Sequence, residues 1–223
     1  MTWHPGRKVS SKVLKQNALE AHPQIAPHIP HTKTYNDSNL IEMLNRYNMV
    51  FVKPIKGSLG NGVIQVSKID GGYSYKVNSK KYKVTSYEAL LRGLASSKMK
   101  RAYIIQQGID LLRIDGSPVD YRVKYVLDKG MWRYRIILGR VARPGLSITN
   151  ISKGGRVLHC NTAIRRTLGA GAVSHTIEEM KQLTRLCTYV LEQRFPGITH
   201  LGYDYGIDKN GKIWIFEVNT SPN

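Results

Sequence analysis

Three oxygen-bearing side chains, Asp204, Glu217 and Asn219, lie in the C-terminal stretch "GYDYGIDKNGKIWIFEVNTSPN", residues 202–223. An Asn-Gly pair divides two β-rich runs there, as in a tight hairpin. With Asn210 and Gly211 as a two-residue turn, Asp208 faces Ile213, Ile207 faces Trp214 and Asp204 faces Glu217. Asn219 then projects from the same face as Glu217, because strand side chains alternate. Like charges directly opposite one another destabilise a sheet, and a hard divalent cation reverses that sign. The acids read either as a metal site or as solvated groups on an exposed hairpin. Ile213 and Ile215, on the face expected for Glu217, favour partial burial.

A second group lies upstream in "FVKPIKGSLGNGVIQV". Lys53 ends a β-branched run, and Lys56, Gly57, Gly60 and Gly62 follow. Glycine lets the backbone approach a ligand closely, and free N–H groups can cap phosphate oxygens. The stretch is neither a P-loop nor a dinucleotide-binding turn, since a strand follows rather than a helix. Alone it reads equally as an ordinary turn.

The elements that must position these residues follow from periodicity. A short helix is expected near residues 11–21, and one capped by Asp37 or Ser38 with Leu40, Met43 and Leu44 inward. Capping boxes at Thr85–Glu88 and Thr176–Glu179 predict two more helices. The last carries the stripe Ile177, Met180, Leu183, Cys187 and Leu191, and Pro196-Gly197 stop it. "AYIIQQGI" reads as a strand and residues 119–143 as a long hairpin turning at 128–130. There Tyr121, Val123 and Tyr125 share one face, and Asp120, Arg122 and Lys124 the other. Antiparallel hairpins with helices packed on them make the fold class α+β. Residues 1–35 read as a basic N-terminal arm or connector, 36–109 as one lobe and 110–223 as a second.

Hydrophobic residues form 41% of the 223, enough for a sizeable core. Net charge is +19, which attracts polyanions, but no aromatic-laced basic module supports specific nucleic-acid binding. No run is long and apolar enough for a membrane span, and the N-terminus lacks a signal-peptide core, which predicts a cytoplasmic location. Two widely spaced cysteines and a His-rich N-terminal stretch match no metal motif. There is no persuasive nucleophile–base set.

Taken together, the Lys53 strand and glycine loop, "YIIQQGI", "VDYR", Arg140, "TNISKGG" and "FEVNTSP" resemble the ATP-grasp superfamily. The likeness is to RimK-like ligases and, more narrowly, to the YheC/YheD group of spore-coat-associated proteins. It spans residues 30–223. The resemblance implies two α+β subdomains with antiparallel sheets clasping ATP. It also implies nucleotide contacts from Lys53, Lys56, Gly57, Ser58, Gly60 and Gly62. Adenine would meet the backbone at Gln107 and Ile109 with Gln106 nearby, Asp110 would reach the ribose, and Lys15 would be an upstream phosphate-binding lysine. Asp204, Glu217 and Asn219 would hold Mg²⁺, and Arg122, Arg140 and Asn150 would surround the reacting groups.

The implied activity joins a carboxylate to an amine through an acylphosphate, with ATP and Mg²⁺ as cofactors. The implied alternative is a non-catalytic, ATP-binding protein associated with the spore coat. About fifty residues precede the Lys53 strand, too few for the substrate-binding domain such ligases carry there, and the sequence stops just after the metal strand.

Overall fold

The computed structural model describes residues 6–56, 60–146, 149 and 154–220. Two antiparallel sheets carry the architecture. The first runs β1–β6–β2–β3–β4–β5: β1 (Thr32–Thr34), β2 (Met49–Pro54), β3 (Ile64–Ile69), β4 (Gly72–Val77), β5 (Lys80–Val84) and β6 (Tyr103–Gln107). Helices α2 (Asp37–Tyr47) and α3 (Tyr87–Ser97) cover one face of it. The second runs β10–β9–β8–β11–β12, with β7 (Arg113–Ile114) paired to β8. Its strands are β8 (Ser117–Asp128), β9 (Met131–Val141), β10 (Arg156–His159), β11 (His200–Ile207) and β12 (Ile213–Thr220). Helices α1 (Lys12–Glu20), α4 (Cys160–Leu168) and α5 (Val173–Arg194) pack on that sheet and on one another.

Each sheet buries its own apolar face. Around the first gather Leu40, Met43, Leu44, Val52, Leu90 and Ile105. The larger core holds Tyr121, Val123, Tyr203, Tyr205, Met180 and Cys187. Val9, Leu19, Ile25 and Ile29 also enter this core, so the N-terminal segment is built into the second sheet's layer. The chain is tied there by Val9, whose N–H donates to Thr220 Oγ1 at 2.8 Å.

Helix starts differ from the expected caps. Asn36, one residue earlier than expected, accepts from the Asn39 N–H, and Ser86 rather than Thr85 accepts from the Ala89 N–H. In both cases the residue still in extended conformation takes the capping role. Thr176 is no cap at all: α5 begins at Val173, and Thr176 is buried on its packed face. Strand β10 and helix α4 were not expected, because α4 has only Cys160, Ala163 and Ile164 buried among polar neighbours.

In the larger core, α5 is joined to β11 by hydroxyl pairs. Thr188 Oγ1 lies 2.7 Å from Tyr203 Oη, and Thr184 Oγ1 lies 2.8 Å from Tyr205 Oη. Both tyrosines are fully buried, so each hydroxyl depends on its threonine. Replacing Thr188 with Val keeps the shape and strands the Tyr203 hydroxyl. It is expected to cost about 1–3 kcal/mol in urea unfolding, with Ser restoring most of the loss. An unchanged midpoint for the Val variant would disprove the dependence.

Candidate functional site

The cleft between the two sheets has a volume of about 1370 Å³. Its floor is set by register in the second sheet. Arg122 on β8 pairs with Leu138 on β9 and with Asp204 on β11, and Asp204 pairs with Glu217 on β12. One row across the sheet therefore carries Arg122, Asp204 and Glu217. In the row beside it, Asp120 pairs with Arg140 and with Gly206. On the other flank Lys124 pairs with Gly202, and Gly202 with Asn219. Alternation puts all three rows on the face opposite Tyr121, Val123, Tyr203 and Tyr205.

The Asp204–Glu217 pairing matches the sequence expectation, but the hairpin reaches it by a different route. The turn is one residue longer than a two-residue loop: the Asp208 N–H donates to the Lys212 carbonyl at 3.0 Å, leaving Lys209–Gly211 as the loop. The Asp208 carboxylate stabilises it, accepting the Asn210 and Lys212 N–H groups and Trp214 Nε1. Ile207 thus pairs with Ile213, and Gly206 with Trp214, instead of the expected partners. A β-bulge between Tyr205 and Asp204 then inserts Phe216 and restores the Asp204–Glu217 pair. It also switches faces: Ile213, Ile215 and Val218 are buried in the core, while Glu217 and Asn219 line the cleft. The expected common face for Ile213, Ile215 and Glu217 is corrected accordingly.

Charges interlock along these rows. Arg140 grips Asp120 with two parallel hydrogen bonds, Nε to Oδ1 at 2.6 Å and Nη2 to Oδ2 at 2.7 Å. The Thr149 hydroxyl also donates to Asp120. Asp204 Oδ1 lies 2.7 Å from Arg122 Nε and 3.0 Å from Arg140 Nη2, yet accepts no aligned hydrogen bond among the described residues. Burial pushes the Asp204 carboxyl up, to about 6, against the pull of Arg140 and Arg122. Burial opposes the Arg140 charge, but Asp120 and Asp204 outweigh it and hold the guanidinium protonated.

The first sheet closes the cleft from the other side. Lys53 Nζ donates to Gln106 Oε1 at 2.5 Å. It also stands 5.5 Å from the Phe51 ring centroid and 5.8 Å from that of Phe216, on β12 of the opposite sheet. Burial lowers the Lys53 ammonium to about 8, and Glu217 partly restores it. Gly206 is needed where Phe216 lies across β11, since a Cβ there would fall 2.4 Å from the ring. From α1, Lys12 forms an ion pair with Glu217 at 3.2 Å. Lys15 is buried against the Val9 carbonyl, which its ammonium meets at 2.8 Å.

The other expected residues divide. Lys56, Gly60, Gln106, Gln107, Ile109 and Asp110 all line the cleft. Asp110 is paired with Lys209 at 2.5 Å. Gln107, whose backbone is expected against adenine, has its N–H donating to the His31 carbonyl at 2.8 Å, because β1 adds to that edge of β6. Gly62 has φ +76 and packs under the loop, where a Cβ would fall 3.0 Å from Met99 Sδ and from Tyr103 Oη, so its place is a turn rather than the cleft wall. Gly57, Ser58 and Asn150 lie outside the described residues. Asp120 and Lys12 were missed as site residues. The alternation that put Asp120 and Arg122 on one face was the available signal, and Lys12 lies one helical turn from Lys15.

Among the described residues no three His, Cys, Asp or Glu side chains are grouped to hold a metal. The candidate donor set is two carboxylates and an amide, Asp204, Glu217 and Asn219. That suits Mg²⁺, which takes one or two carboxylates and completes its shell with water and phosphate oxygens. The buried Asp204 Oδ1 without an aligned donor fits the same use.

Solved structures share this architecture. D-cycloserine synthetase DcsG matches with a TM-score of 0.60 at 10% identity, over 96% of this chain and 63% of its own. N5-carboxyaminoimidazole synthase from Aspergillus clavatus, in complex with ADP and 5-aminoimidazole ribonucleotide, matches with 0.59 at 12% identity, over 98% and 46%. D-alanyl-alanine synthetase A from Vibrio cholerae matches with 0.55 at 15% identity, over 96% and 55%. Two antiparallel sheets closing on a cleft are the fold these structures share, and the family model that matches this chain names its class, ATP-grasp. The YheC/D-like ATP-grasp model matches residues 5–223, and the chain belongs to that family. Endospore coat-associated protein YheD of Bacillus subtilis (strain 168) is 31% identical over 217 residues, covering 92% of this chain and 46% of YheD. Endospore coat-associated protein YheC of the same strain is 24% identical, over 97% of this chain and 61% of YheC. The chain thus spans about half to three-fifths of the curated relatives it matches. No described helix is long and apolar enough to cross a membrane.

Proposed function

We propose that this chain is an ATP- and Mg²⁺-dependent ligase that joins a carboxylate to an amine through an acylphosphate. The observation that carries the reading is convergence: Lys53 of one sheet and the Arg122–Asp204–Glu217 row of the other line a single cleft. Residues 36–109 and 110–223 are proposed as the two clasping lobes, with the segment before them packed into the second through Val9, Leu19, Ile25 and Ile29 and added to the first as β1. Bound Mg²⁺–ATP would supply the phosphoryl group and neutralise its developing charge.

The chain's own residues bind and orient. Asp204, Glu217 and Asn219 would hold the metal. Lys53, fixed by Gln106, offers a cation from the opposite wall. Arg140, clamped by Asp120, and Arg122 present guanidinium groups where anionic oxygens gather. Catalysis is then positioning and charge stabilisation, with no protein nucleophile. Release of ADP from ATP, Mg²⁺ and a panel of acids with amines is the test. Absence of ADP across a broad panel, from protein that binds ATP, sinks the ligase. That outcome favours the second reading, a non-catalytic ATP-binding protein of the coat, which the names of YheD and YheC support.

Lys53 gives a separate check. Its ammonium titrates near 8 when buried without ligand. A phosphate beside it raises that value, so nucleotide binding slightly above pH 8 takes up a proton. At lower pH the ammonium is already protonated and the uptake shrinks. Calorimetry in two buffers of different ionisation enthalpy reads this directly, and Lys53→Met abolishes it. Equal heats in both buffers would remove Lys53 from the phosphate site.

A further inference from the structure

Among the described residues lining the cleft, ten are Lys or Arg and four are Asp or Glu, an excess of six positive charges. ATP with one Mg²⁺ brings about two negative charges, and with a second Mg²⁺ about none. The excess is unevenly placed. Near the acid row Lys12 is matched by Glu217, Arg122 by Asp204 and Arg140 by Asp120, while Lys53 and Lys15 are held by Gln106 and by the Val9 carbonyl. Elsewhere in the cleft, Lys76 on β4, Lys81 on β5 and Arg113 on β7 approach from both sheets.

Lys76 and Lys81 are directly opposed cross-strand partners, an arrangement that destabilises a sheet unless an anion compensates it. Burial, then the fields of Lys81 and Arg113, holds the Lys76 ammonium below its usual value, so both neighbouring charges reach it. Among the described residues no carboxylate pairs with any of them. Asp115, two residues from Arg113, is occupied by Arg156 and Arg166. Arg113 is held in place by its own turn, Nη1 donating to the Gly116 carbonyl at 2.8 Å.

We propose that Lys76, Lys81 and Arg113 form a second anion subsite in the cleft, and that the substrate acid carries at least one further anionic group, carboxylate or phosphate, beyond the one that reacts. The subsite rests on the cleft itself; its assignment to the substrate rests on the ligase reading. The three cations neutralise the distal charge and set the length of substrate that fits between them and the acid row.

The test uses the full chain with its nucleotide site saturated by AMP-PNP and free Mg²⁺ buffered in excess. Capped tetra-aspartate and inorganic tripolyphosphate are titrated as carboxylate and phosphate probes. At least one binds the wild type, and the tighter one identifies the preferred chemistry. Lys76→Gln/Lys81→Gln weakens it by about tenfold or more, Arg113→Gln repeats the loss, and AMP-PNP affinity stays within about twofold. A control, Lys129→Gln/Lys181→Gln, removes the same charge outside the cleft and leaves binding unchanged. If neither probe binds, or the control loses as much, the subsite is refuted. If AMP-PNP fails to bind but the probes still respond to Lys76 and Lys81, the ligase reading falls and the anion subsite stands.

Discussion

Replacing Glu217 with Gln is expected to lower ATP turnover by about a hundred- to a thousandfold, the scale of losing one preorganised electrostatic contact, while barely changing unfolding. The substitution is isosteric and keeps one acceptor oxygen, so the hairpin is retained. What disappears is a negative charge directly opposite Asp204. Without ligand, two effects oppose each other. The ion pair with Lys12, about a quarter exposed on both sides, is lost, worth under ~1 kcal/mol. Repulsion of Asp204 is relieved in return, since Glu217 contributes to its raised pKa. Steady-state ADP release and urea unfolding, measured on one preparation, separate the effects. Full activity, or a loss that merely follows unfolding, would remove Glu217 from the metal set.

Asp120→Ala is expected to have the largest effect on stability, about 3–5 kcal/mol, the scale for breaking a buried pair from one side. Asp120 is 6% exposed and accepts from both Arg140 and the Thr149 hydroxyl. Removing it leaves the Arg140 guanidinium buried with, among the described residues, one remaining carboxylate contact, to Asp204. Asp120→Asn keeps the shape and one acceptor, and falls between wild type and Ala. Urea denaturation reads all three. A loss below about 1 kcal/mol for Ala would mean that water or Asp204 replaces the clamp at little cost.

Alternation alone made the second sheet's floor legible: Asp120, Arg122 and Lys124 on one face, Tyr121 and Val123 on the other. The acid pair was legible because two register shifts cancel. A longer loop, held by Asp208, shifts the register by one, and the Phe216 bulge shifts it back. Neither leaves a local signature, because Asn-Gly suits a two-residue turn equally well. The face switch at the bulge was therefore misjudged. Lys12 and the Arg140–Asp120 clamp needed tertiary placement, of α1 against β12 and of β9 in register with β8. Helix α4 escaped because it is short and polar on average, with only Cys160, Ala163 and Ile164 buried. At residue 107 the pattern showed a strand, but not that β1 would take up its N–H.

The bulge has a geometric consequence. A regular strand turns neighbouring side chains to opposite faces; here consecutive residues, Phe216 and Glu217, both reach the cleft. The ring of the first lies beside Lys53 of the opposite lobe, and the second sits in the acid row. The contact between the two sheets and the carboxylate of the acid row are therefore one peptide bond apart on the same strand, and losing the bulge would turn one of the two away from the cleft.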